Sequence, residues 1–112
     1  MPKPASKPGI HRAIERVAER IVRRFRPEKI ILFGSGARDD VTWESDIDLL
    51  VVMDFEGPKL DKMVELRGVL TGIEVPTDIL VTTPADFAWR KDVVGTIEWP
   101  AFHEGRLLYA RS

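Results

Sequence analysis

Four acidic and polar features of this 112-residue chain could do chemistry together, namely the turn Gly34-Ser35, the guanidinium of Arg38, the pair Asp46-x-Asp48, and Asp78. Side chains in a strand alternate faces, so Asp46 and Asp48 are expected on one face, about 6.6 Å apart along the chain. Two carboxylates so placed repel each other and are costly to bury without a cation. An all-oxygen ligand set in a chain with no Cys points to Mg²⁺, or Mn²⁺, rather than zinc. Asp78 opens the apolar run Thr77-Asp78-Ile79-Leu80-Val81. If its strand neighbours that of Asp48, three acids converge and can hold two ions, the arrangement that clamps the attacking and leaving oxygens of a phosphoryl displacement. The Gly34-Ser35 turn supplies backbone N–H groups with no Cβ in the way, a cradle for an anion, and Ser35 adds a hydroxyl. Arg38 can present its planar fork to a phosphate, or pair with Asp39, Asp40 or Glu44 at the surface. A lone Asp-x-Asp is most often only a polar strand start; the glycine turn before it and Asp78 after it are what favour a metal and triphosphate pocket.

The elements that must position these residues follow from periodicity. Residues 1–9 hold three Pro and no apolar pattern, and read as a flexible leader before a domain over 10–112. Ile10, Ile14, Val17, Ile21 and Phe25 recur at three- and four-residue steps, predicting a helix that Pro27 ends. Ile30 to Phe33 is a buried strand emptying into the glycine turn, and Asp46 to Met53 is a second, central strand. A helix over Leu60 to Leu70, a strand over Thr77 to Val81, and a helical region opened by Thr83 as N-cap and Pro84 follow. Leu107-Leu108-Tyr109 reads as a last short strand. This order predicts an α/β (α+β) fold, a small mixed sheet packed against helices.

Composition sets the outer bounds. The length is that of one domain, and 44% hydrophobic with 31% charged residues suits a globular chain. The longest apolar runs, Ile30 to Phe33 and Leu49 to Met53, fall far short of the roughly 20 residues of a membrane span. Absence of Cys and of a secretory signal gives a cytoplasmic expectation. Residues 1–29 carry nine Lys/Arg against three Asp/Glu, and the remainder eight against fifteen, so a basic front joins an acidic body. The arginines of the first helix are interrupted by Glu15 and Glu19, and Glu19/Arg23 is an ordinary i to i+4 helix pair, so direct nucleic-acid binding is not expected. His11 and His103 lack metal-ligand spacing. Trp89 and Trp99 read as core or partner contacts, and Trp43 stands open among core, partner contact and an adenine-stacking surface. The lack of Asn and Gln beside abundant Arg and Glu fits a thermophile.

Gly34-Ser35, ten residues, then Asp46-x-Asp48 resembles the motif of the DNA polymerase β-like nucleotidyltransferase superfamily. The fuller runs Leu32-Phe33-Gly34-Ser35-Gly36-Ala37-Arg38 and Ser45-Asp46-Ile47-Asp48-Leu49-Leu50-Val51 are similar to its minimal nucleotidyltransferase branch, the MntA-type antitoxins. The resemblance implies the polymerase β-like fold and ATP as substrate. By it, Gly34, Ser35 and Arg38 contact the triphosphate, Asp46 and Asp48 hold two Mg²⁺ ions, and Asp78 completes the metal site and helps activate the acceptor hydroxyl. It also implies a partner, a helical HEPN-domain toxin encoded nearby, onto whose tyrosine hydroxyl AMP is moved in a hetero-oligomer. Many relatives have Arg where this chain has Gly36, and the alternative is a module of the same fold that silences its partner by occlusion alone.

Overall fold

The computed structural model describes residues 8–34 and 47–111. Helix α1 runs Pro8–Phe25, two residues ahead of the expected start at Ile10, and its apolar stripe of Ile10, Ile14, Val17, Ala18 and Ile21 is buried. Arg26 follows with a left-handed φ of 50° and donates its N–H to Val22 O at 3.0 Å; Pro27 then bars any further helix. Strand β1 (Lys29–Phe33) and strand β2 (Ile47–Val52) pair antiparallel with Phe33 opposite Asp48. Helix α2 (Lys59–Arg67) and a 3-10 turn over Gly68–Leu70 carry the chain across to strand β3 (Thr77–Thr82), which lies parallel to β2. A parallel neighbour needs such a crossover, which is why the second helix sits where it does. Helix α3 (Pro84–Arg90) is capped as expected, with Thr83 Oγ1 accepting from the Asp86 N–H at 3.1 Å. Helix α4 (Glu98–Glu104) and strand β4 (Arg106–Ala110) complete the chain.

The sheet is mixed, ordered β3-β2-β1-β4. Its two faces alternate along β2. Ile47, Leu49 and Val51 join α1, Leu66 and Val69 in one core, while Leu50 and Val52 join Ile31, Phe33, Phe87 and Ala101 in the other, beneath α3 and α4. Gly105 makes the turn from α4 into β4 so close to Ile31 and the Leu32 carbonyl that any Cβ there would overlap them. Among the described residues no helix is long and apolar enough to cross a membrane.

Candidate active site

Strand alternation decides which acids can meet. Asp48 follows Ile47 and precedes Leu49, both on the α1 face, so it shares the α3/α4 face with Leu50 and Val52. Asp78 stands on that same face one residue before Ile79 and is the direct register partner of Asp48 across the parallel β2/β3 pair. Adjacent strands lie about 4.8 Å apart, so the two carboxylates form one rung. The conditional expectation that the strands of Asp48 and Asp78 would be neighbours is therefore met. Asp48 is half-buried and Asp78 exposed, which leaves the rung open to solvent at the sheet's end.

The glycine turn reaches the same rung. Gly34, directly after Phe33, adopts φ 71°, a left-handed backbone that suits glycine. A Cβ built on it would lie 2.5 Å from Asp48 Oδ2. The missing side chain is what lets the end of β1 close on the carboxylate, so Gly34 and Asp48 form one unit. Ser35, Arg38 and Asp46, together with Gly36 and Trp43, lie outside the described residues. Among the described residues no three His, Cys, Asp or Glu side chains cluster closely enough to hold a metal. The Asp48–Asp78 rung nevertheless fits a divalent cation: two carboxylate donors stand side by side on one face, at an end of the sheet open to solvent.

These features coincide with what known proteins share. The model of the nucleotidyltransferase domain family matches residues 14–99, a span that includes Gly34, Asp48 and Asp78. The chain belongs to this family. A protein of Methanocaldococcus jannaschii named "Putative protein adenylyltransferase MJ0604" is 36% identical over 93 residues, covering 77% of this chain and 82% of that protein. The structure also resembles the crystal structure of a Sulfolobus solfataricus protein described as a "putative nucleotidyltransferase", with a TM-score of 0.67 and 25% identity over 99% of this chain and 91% of that one. Together these place the chain in the minimal nucleotidyltransferase branch, with the small mixed-sheet fold expected of it.

One buried group of this nucleotidyltransferase was not foreseen. Glu98, at the first position of α4, is fully buried; Thr82 Oγ1 donates to it at 2.8 Å and Arg90 Nε at 3.1 Å. Burial pushes its carboxyl up, but the bonds from Thr82, from its own backbone N–H and from Arg90 overcome this and hold it below the ordinary value of 4.5. It pins α4 to the far end of β3, and α4 is part of the cover on the face that carries Asp48 and Asp78. Ile97-Glu98-Trp99 gives no sign of this, because both partners are supplied by the tertiary fold. Of the tryptophans, Trp89 is 57% exposed and so is no core residue, whereas half-buried Trp99 lies against His103 with ring centres 4.7 Å apart.

Proposed function

We propose that this nucleotidyltransferase moves AMP from ATP onto a hydroxyl of a partner protein, a tyrosine of a HEPN-domain toxin, and so acts as the antitoxin of a pair in the cytoplasm, where ATP is supplied. The observation that carries the reading is the Asp48–Asp78 rung closed by Gly34. The name of the Methanocaldococcus relative supports protein as the acceptor class.

Asp48 and Asp78, with Asp46, would hold two Mg²⁺ ions (or Mn²⁺), which supply neutralisation of the charge that builds on the phosphate oxygens. The chain's own groups do the rest. Gly34 offers its backbone N–H to the triphosphate tail while its missing Cβ admits the Asp48 carboxylate, Ser35 donates its hydroxyl to that tail, and Arg38 offers its fork to a phosphate. Asp78, the exposed member of the rung, accepts the proton of the incoming hydroxyl. The hydroxyl oxygen bonds to the α-phosphorus and the bond to the bridging oxygen breaks, releasing pyrophosphate.

The test is intact-mass measurement of the partner after incubation with this protein, ATP and Mg²⁺; each transferred AMP adds about 329 Da. Asp48→Asn and Asp78→Asn should each lower transfer by more than the roughly 100-fold at which changes outside the ligand shell level off. Circular dichroism should leave both folded. Gly34→Ala should behave like them, because its Cβ would meet the Asp48 carboxylate. A partner silenced without gaining mass would leave occlusion as the function and remove the transferase reading.

A further inference from the structure

A groove of about 730 Å³ lies between α1 and β4, away from the rung of acids. Its floor is Ala18, Val22, Leu108 and Tyr109, and its rim carries Glu15, Glu19, Arg23 and Arg106. One wall is the free edge of the sheet, since β4 pairs only with β1 among the described residues. Natural edges are blunted by charge, Pro or a bulge, and β4, Arg-Leu-Leu-Tyr-Ala, has a charge only at its start and leaves Leu107 55% exposed. Register passes from Ile30 opposite Tyr109 to Ile31 opposite Leu107, so Leu108 is an extra, bulged residue. Leu108 and Tyr109 consequently both pack on the α1 side. A bulged edge cannot offer a long regular ladder, so whatever covers it is held chiefly by side chains.

The charges on the rim indicate the occupant. Glu15, Glu19 and Arg23 follow each other at four-residue steps along one stripe of α1, a span of about 12 Å. One end of the stripe is acidic and the other basic. A two-fold axis turns the acidic end of such a stripe, Glu15, onto its basic end, Arg23, whereas an unrelated ligand would have to match both signs separately. The geometry points to a second copy of this chain as the occupant: two protomers join about a two-fold axis through the α1/β4 face. Helix α1 leads through residues 26–28 straight into β1, and so runs counter to it, in the same sense as β4. In the pair both α1 and β4 oppose their counterparts, which brings Arg23 of one protomer to Glu15 of the other, twice, and sets the two Glu19 side chains beside the axis. Arg106, which lines the same groove, offsets part of the charge that the two Glu19 bring to the axis. Leu107, Leu108 and Tyr109 of the two copies supply the apolar centre. This inference is independent of the proposed transfer reaction, because none of these residues belongs to the Asp48–Asp78 rung.

Sedimentation equilibrium of the whole chain tests it. The mass should rise with concentration from 12.7 kDa toward twice that value. Leu107→Lys places a charge on an already exposed edge position and should weaken association at least about tenfold. Arg23→Glu and Glu15→Arg should each weaken it several-fold, and the double exchange Glu15→Arg with Arg23→Glu should restore it, because the two-fold pairs those positions with each other. The exchange series decides the matter even if Leu107→Lys fails to fold. A mass fixed at 12.7 kDa at every concentration would overturn the proposal, as would a dimer indifferent to Leu107→Lys or a double exchange that recovers nothing.

Discussion

The two faces of the sheet are covered very differently. On one side lies the 18-residue α1, about 27 Å long, assisted by α2 and the 3-10 turn; on the other lie α3 and α4, seven residues and about 10 Å each. A six-residue strand such as β2 is about 20 Å long. Each short helix therefore spans only part of a strand's length, and on the α3/α4 face the end bearing Asp48 and Asp78 is left half-buried or exposed. The carboxylates occur on the face where they cost least to hold and where a substrate can reach them. On the α1 face the same rung position would have placed them under a long amphipathic helix, where unpaired charge is prohibitive.

This contrast has an energetic counterpart in two adjacent residues of β2. Leu49 and Leu50 are both fully buried and point to opposite faces. Among the described residues Leu49 belongs to a cluster of 16 buried side chains and Leu50 to one of six. The cost of truncation depends on how far the surroundings can collapse into the space left behind. Leu49→Ala should therefore cost about 4 kcal/mol and Leu50→Ala about 2.5 kcal/mol, since two short helices can settle where α1 cannot. Urea unfolding of both variants checks this. Equal losses would mean that the α3/α4 face is packed as rigidly as its opposite, and the contrast would hold for length of cover alone.

A smaller effect isolates what fastens the thinner cover. Glu98→Gln keeps the shape but removes the charge that accepts from Arg90 and Thr82, and Arg90 is itself partly exposed, so screening trims the loss to about 1–2 kcal/mol at neutral pH. The folded carboxyl lies below its ordinary value of 4.5, so the unfolded chain binds the proton first as pH falls. The stabilisation is complete above 4.5 and drains away as pH drops through the lower folded value. Unfolding free energies of wild type and Glu98→Gln should differ at neutral pH and converge in acid. A constant gap across that range would show that shape, and not charge, fastens α4.

How much of this could be read from the chain depends on whether the signal was local. Apolar spacing placed α1, the β-branched run of Ile30 and Ile31 placed β1, and Thr83-Pro84 marked the start of α3, because each depends only on near neighbours. Gly34 and Asp48 were legible as a motif, but their closeness is a property of the β1/β2 register, with Phe33 opposite Asp48. Asp78 could be tied to them only on condition that β3 lies beside β2, a matter settled by the crossover through α2. Nothing local marks Glu98 for burial or Leu107 for the free edge. Both depend on which strand β4 joins and where α4 crosses, choices made by the whole core. The expected roles of Ser35, Arg38 and Asp46 fall outside the described residues, so that half of the site rests on the sequence motif.

The smallest expected change lies on the thicker side, at the corner where α1 hands over to β1. Arg26 occupies a left-handed conformation that disfavours any side chain, at a position where helices commonly end in glycine. Its N–H still reaches Val22 O, so the corner is held by the backbone and the exposed side chain is dispensable to it. Arg26→Gly relieves about 1–2 kcal/mol of left-handed cost but returns about 0.5–1 kcal/mol of chain entropy to the unfolded state, a net gain near 0.5 kcal/mol. For a domain of this size that is a rise in Tm of about 2–4 °C, readable by calorimetry. Arg26→Ala keeps the Cβ and should give no such rise. If the two variants melt together, the arginine's left-handed turn carries no strain, and α1 is closed by Pro27 alone.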